Sequence, residues 1–244
     1  MAIYDVTNYK LPLTSIMRRN QSHLIVIVDA DCNDTEILLQ NCAKHEYFYD
    51  TYHWLVFGSF LNVTEKFQEV ELLVNADISV SIDYENNNNW TILDVYNPSY
   101  KHGGELVINE VGYYNENEGY NVPITGSKYF IRRNMTGTLF KTVVVIPENI
   151  SMTLREYLDY DEDRKNNTFS RFQTVTIQNC QDFFNFDVNR TVFTSWGYQQ
   201  PNGDVDGMLK ELKEKRIEFG SAPLMSKPYR VKIIDYGYGN WIMT

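Results

Sequence analysis

Apolar residues fall first into short unbroken runs and then into helical spacing. His23 to Ala30 (HLIVIVDA) is an apolar run ending in Asp29-Ala30-Asp31, which predicts a strand. Asn33-Asp34-Thr35-Glu36 follows with helix-start chemistry ahead of Ile37, Leu38 and Leu39, predicting a helix to Lys44. Tyr52 to Gly58 (YHWLVFG) predicts a second strand, Phe60 to Val70 a helix, and the alternating Asp77 to Asp83 (DISVSID) a third strand. The asparagines at 86–89 read as a turn, and Trp90 to Tyr96 (WTILDVY) as a strand stopped by Asn97-Pro98. This alternation argues for an α/β fold, a sheet covered by helices.

The pattern breaks between Asn109 and Thr138. Gly112, Gly119, Gly126 and Gly137, interleaved with Asn115, Asn117, Asn121 and Asn134, mark that stretch as a linker zone. It divides the chain into domains at residues 1–138 and 139–244. Strand signals restart at Thr142 to Ile146 and recur at Arg171 to Ile177 and Asn189 to Trp196. Gln199 to Gly203 is a turn. Val205 to Leu209 opens a helix with Leu209 and Leu212 on one side and Lys210, Glu211, Lys213 and Glu214 outward. Ile217 to Gly220 predicts a short strand, Ser226-Lys227-Pro228 a capped helix carrying Arg230 in its first turn, and Ile233 to Tyr236 a strand.

Composition narrows the classes. The 244 residues are 43% hydrophobic and 14% aromatic, enough for a packed core. A net charge of −10 argues against nucleic acid as a partner. The apolar runs Leu24 to Val28 and Val143 to Ile146 are far shorter than a membrane-spanning helix, and Met1 to Asp5 carries no secretory-signal pattern. Glycan acceptors of the form Asn-x-Ser/Thr nevertheless begin at Asn20, Asn33, Asn62, Asn89, Asn134, Asn149, Asn166 and Asn189, eight in all. Chance at this composition gives roughly three, so the excess favours a secretory-pathway ectodomain over a merely asparagine-rich chain. Cys32, Cys42 and Cys180 show no metal-type spacing; a Cys32–Cys42 bridge and plain buried thiols both fit them.

Most chemistry is unsupported. His102-Gly103-Gly104 has the look of an oxyanion turn, but no Gly-x-Ser-x-Gly accompanies it. His23, His45, His53 and His102 are scattered, Asp204-x-Asp206-Gly207 lacks the later ligands of a calcium loop, and no phosphate-binding glycine loop follows a strand. The sequence indicates no metal, no cofactor and no enzyme. Arg230 remains. In the first turn of a helix its planar fork of donors, together with backbone N–H groups, makes a carboxylate site; the plainer reading is a surface arginine.

The surroundings of Arg230 tip that balance. Ala222-Pro223-Leu224-Met225 followed by Arg230 seven residues beyond the proline, then Asp235-Tyr236, resembles the first ligand-binding segment of ionotropic glutamate receptors. Asp206-Gly207-Met208 with Leu212, and Ile217 to Gly220, match the preceding helix and strand of that family. Thr194 to Tyr198 with Asn202-Gly203 is similar to the insect variant ionotropic receptors, and Tyr96 to Gly104 to the amino-terminal region of their acid-sensing 75-type clade. The resemblance implies an amino-terminal receptor domain followed by the first lobe of a periplasmic-binding-protein-like clamp, with the chain ending before the pore. It implies part of a ligand-gated cation channel at the cell membrane, sensing a small carboxylic acid in olfaction and working with co-subunits in a tetramer. Arg230 then anchors the carboxylate, Pro223 offers its carbonyl, and Met225 lines the pocket. Met225 stands where the family has threonine, removing a hydroxyl that would bind an amino-acid head group; this favours an acid without an amino group. A soluble solute-binding protein with the same lobe and no channel is the alternative.

Overall fold

The computed structural model describes residues 17, 24–49, 51–84, 88–123, 126–159 and 166–237. The chain divides into two compact units, residues 1–138 and 139–244. Both are mixed α/β, as expected.

The first unit is built on a six-stranded sheet whose strands lie in chain order. These are β1 (Leu24–Asp29), β2 (Tyr52–Phe57), β3 (Ile78–Ile82), β4 (Trp90–Tyr96), β5 (Val107–Asn115) and β6 (Gly119–Asn121). β1, β2 and β3 run parallel, and β4 to β6 continue antiparallel. Helices α1 (Thr35–Lys44) and α2 (Phe60–Gln68) supply the crossovers and cover one face. Leu38, Leu39, Cys42, Val63 and Phe67 from the helices pack there against Val28, Trp54, Val56, Ile78, Val80 and Ile82. Local chemistry sets the helix starts. Ser59 caps α2 by accepting from the Asn62 amide, and the Thr35 hydroxyl at the head of α1 donates to the Asp29 carbonyl, 2.7 Å away. Asn88 and Asn89 alone of the expected 86–89 turn, and neither His23 nor Asn20, lie among the described residues.

The expected linker at 109–138 is instead structure. β5 and β6 form a hairpin extending the sheet, and a short helix α3 (Lys128–Ile131) follows. The turn-forming residues are concentrated at the hairpin tip, where Asn115 Oδ1 accepts from the Asn117 and Glu118 amides. Gly112 is required by close approach: a Cβ there would lie 2.2 Å from the Asn121 carbonyl oxygen. Arg132, just after α3, is 2% exposed and locks the chain back onto the sheet. Its guanidinium grips both Asp94 carboxylate oxygens, donates to the Val74 and Ala76 carbonyls (2.7 and 2.6 Å), and stacks 4.5 Å from the Tyr96 ring centre.

The second unit has a parallel three-stranded sheet in the order β8 (Asp187–Phe193), β7 (Leu139–Val145), β9 (Phe219–Gly220). β7 is central and buried on both sides, as its continuous apolar run demands. Val143 and Val145 pack with Met208, Ile217 and Ala222, while Val144 and Ile146 pack with Tyr157. The helices are α4 (Leu154–Asp159), α5 (Thr168–Phe184), α6 (Gly207–Lys213) and α7 (Pro228–Val231).

Three expectations fail here. Residues 171–177 are not a strand but the middle of α5, although Thr174-Val175-Thr176-Ile177 is a strand-like run. Tertiary anchoring overrides that propensity: Ser170, Thr174 and Ile177 fall on one helical face, and the buried Ser170 hydroxyl donates to the Val145 carbonyl (2.6 Å). Residues 233–236 form no strand, since the Ile233 and Ile234 amides fold back onto the Arg230 carbonyl. Ser226 does not cap α7; Lys227 occupies the N-cap with no side-chain bond, and Pro228 opens the helix. All three cysteines are free thiols, with burial pushing Cys42 up to about 12.

Seven of the eight glycan acceptors are described. Asn33, Asn89, Asn134, Asn149, Asn166 and Asn189 are exposed, whereas Asn62 is half-buried with its amide donating to Asp31.

Candidate functional site

The second unit brings the loop 195–198, the 223–225 segment and α7 together around one side chain. Arg230 is 3% exposed. Its Nη2 donates to the Gly197 carbonyl (2.7 Å) and its Nη1 to the Met225 carbonyl (3.1 Å). Tyr198 and Tyr229 flank the guanidinium, with ring centres 5.9 and 5.5 Å away. Nε is buried without a partner, and no carboxylate among the described residues forms an ion pair with Arg230. Among the described residues its positive charge is thus buried against carbonyl dipoles and aromatic faces.

The carbonyl that meets Arg230 is held by a dense local net. Asp206 Oδ1 accepts from the Ser195 hydroxyl (2.9 Å) and the Tyr198 amide (2.6 Å), and the Met208 and Leu209 amides at the head of α6 donate to the Ser195 and Trp196 carbonyls. Two glycines make this possible. Gly197, at φ +119, would press a Cβ to 2.2 Å from the Leu209 Cβ; Gly207, at φ +56, would place one 2.2 Å from the Ser195 carbonyl oxygen. The loop and the helix start are therefore one rigid piece.

The sequence-predicted residues are distributed unevenly around it. Pro223 is half-buried, and its carbonyl accepts no hydrogen bond among the described residues. Met225 contributes its carbonyl to Arg230 and to the Tyr236 hydroxyl (3.1 Å), while its side chain is 57% exposed. Burial pushes the Tyr236 phenol up from its ordinary value. The backbone amides of α7 are not presented as sequence spacing suggested, because those of Arg230 and Val231 both donate to the Lys227 carbonyl. The guanidinium is what this turn offers. No sequence pattern marks Tyr198, Asp206, Tyr229 and Tyr236 as site residues, although Thr194 to Tyr198 and Asp206-Gly207 stand out as fragments. Their convergence depends on the positive φ at Gly197 and Gly207, which no periodicity reports.

Elsewhere, His102-Gly103-Gly104 is a tight turn: Ser99 Oγ meets His102 Nδ1 at 2.5 Å, and the Gly104 amide donates to the Ser99 carbonyl. Among the described residues no group of three or more His, Cys, Asp or Glu side chains could hold a metal ion, and no helix is long and apolar enough to cross a membrane.

Comparison with known proteins places the chain. A family model described as the ionotropic receptor 75a N-terminal region matches residues 2–145. Ionotropic receptor 75a of Drosophila melanogaster is 23% identical over 260 residues, spanning 96% of this chain and 40% of that protein. Ionotropic receptor 75a of Drosophila sechellia is 28% identical over 109 residues, spanning 42% of this chain and 17% of that protein. The chain thus spans well under half the length of either relative. With the family match covering more than half of its residues, the chain belongs to the ionotropic receptor 75a N-terminal family.

Proposed function

We propose that this chain is the ligand-binding extracellular part of a ligand-gated cation channel sensing a small carboxylic acid in olfaction. Residues 1–138 are its amino-terminal receptor domain, and residues 139–244 the first lobe of its ligand clamp. Arg230 is the carboxylate anchor, the unused Pro223 carbonyl faces the guest's polar end, and the exposed Met225 side chain lines the pocket. The observation that carries this reading is the buried Arg230 guanidinium with a spare Nε donor and no acidic partner among the described residues. Kinship with ionotropic receptors, rather than with enzymes, supports it. The receptor sits in the cell membrane through segments outside this chain and assembles with co-subunits into a tetramer. There, acid-driven closure of the clamp biases the gate only through a difference in affinity between its open and closed forms.

The test is to record currents from the longer receptor that carries this chain, co-expressed with its partner subunits, while titrating acetate, propionate and butyrate. Arg230→Ala abolishes the acid response at unchanged surface expression. Met225→Thr improves responses to amino acids relative to simple acids by about 1–3 kcal/mol, the worth of one restored hydrogen bond. Acid responses that survive Arg230→Ala overturn the assignment.

A further inference from the structure

The helices cover one face of the first unit's sheet; the opposite face holds a cavity of about 590 Å³. That volume falls within the range of small-molecule sites. Its construction follows from strand alternation. In β3 (ISVSI), Ile78, Val80 and Ile82 enter the helix-covered core, so Ser79 and Ser81 face the other way and keep the centre of the sheet low. Larger neighbours raise the sides. Leu55 and Phe57 stand beside them on β2, Ile92 on β4, and Ile25 on β1.

The far wall is aromatic. Trp90, Tyr114 and Tyr120 are successive cross-strand neighbours on β4, β5 and β6, and Phe57 meets Trp90 edge-on at 5.7 Å. The close crossing at Gly112 lets the hairpin bring that wall in.

Polar groups are few and well placed. Ser81 is 4% exposed, and neither it nor Ser79 has a side-chain hydrogen bond to any described residue. Neither hydroxyl is a sealed, unpartnered polar atom, so both remain reachable from the cavity. At one end His53 Nδ1 lies 2.5 Å from Asp77 Oδ2, engaging the one carboxylate that the described residues bring to the lining. Among the described residues the lining holds no lysine or arginine, and its imidazole is already taken by Asp77, so a carboxylate would find no spare cation there.

The geometry points to a second ligand site in the first unit, taking an uncharged, flat aromatic molecule with one hydrogen-bonding group. The ring stacks on Trp90, Tyr114 and Tyr120, and its polar group reaches Ser79 and Ser81. This site is separate from Arg230, differs in the charge it accepts, and stands whether or not the Arg230 reading does.

The probe is N-phenyl-1-naphthylamine, uncharged and fluorescent in apolar surroundings, titrated into the whole 244-residue chain. Its near-isostere 1-anilinonaphthalene-8-sulfonate adds only an anionic group. The neutral dye binds saturably at one site and at least tenfold more tightly than the sulfonate. Ser81→Leu fills the floor and weakens it at least tenfold; Tyr120→Ala, at a position 65% exposed where folding is not at stake, weakens it severalfold. Arg230→Ala leaves it unchanged. Where Ser81→Leu fails to fold, Tyr120→Ala carries the test alone. Absence of saturable binding, equal affinity for the sulfonate, or indifference to Tyr120→Ala overturns the proposal. So does a dimer that excludes the dye and is broken by Ile27→Asp, at a 60% exposed position beside Leu55 on this face, because a second copy then occupies it.

Discussion

Two buried arginines set the terms at the scale of single residues. Arg132 and Arg230 are 2% and 3% exposed, yet their surroundings are opposite. Arg132 has a carboxylate in a two-pronged grip, two carbonyls and an aromatic face. Among the described residues Arg230 has carbonyls and rings only. Arg132→Met therefore leaves Asp94 without its counter-charge and lowers the first unit's stability by about 3–5 kcal/mol, read as a shifted urea midpoint. Arg230→Met strands no acid and costs well under half of that. Equal losses at both positions would contradict this difference in pairing between the two arginines. Arg230 was legible because proline spacing and neighbouring motifs mark it. Arg132 was not, since Asp94 lies 38 residues away and nothing in the spacing announces the pair.

Elements were legible where local chemistry and burial agree. The helix expected up to Lys44 ends there, and the strands expected at 52–58, 77–83 and 90–96 appear within a residue or so of their bounds. Agreement failed where the two conflict. In α5 a run of β-branched residues is held helical by Ser170 and Thr174 facing β7, and in the β5–β6 hairpin turn residues masked pairing that Gly112 permits. The loop between β8 and α6 offers the sharpest check on element-level reasoning. Gly207→Ala places a methyl group against the Ser195 carbonyl at a positive φ, so it lowers the stability of the second unit by about 1–3 kcal/mol or more. Denaturant unfolding followed through the fluorescence of Trp196, immediately before Gly197 on the same loop, reports it. An alanine accepted there without loss means the loop is not held as described.

For the molecule as a whole, surface chemistry gives the next test. Six acceptor asparagines on the described surface are exposed, drawn from both units. Directed into the secretory pathway of insect cells with an added leader, the chain emerges carrying several N-glycans. Its mass drops in steps on enzymatic deglycosylation, and the exposed Asn33, Asn89, Asn134, Asn149, Asn166 and Asn189 are occupied more fully than the half-buried Asn62. A chain secreted at its bare mass would return the acceptor excess to compositional accident.

The central strand of the second unit also has a history to endure before it is finished. Thr142 in β7 gives its hydroxyl to the Phe219 carbonyl and meets the Ser221 hydroxyl at 2.8 Å, partners 77 and 79 residues downstream. On a ribosome adding about 5–20 residues per second, the neighbouring edge is synthesised roughly 4–15 s after β7 itself. For that interval Val143, Val144, Val145 and Ile146 leave the exit tunnel with at least one flank unmatched, and with both open until β8 is made. Nascent chains stalled short of residue 219 are accordingly the ones that chaperones should hold.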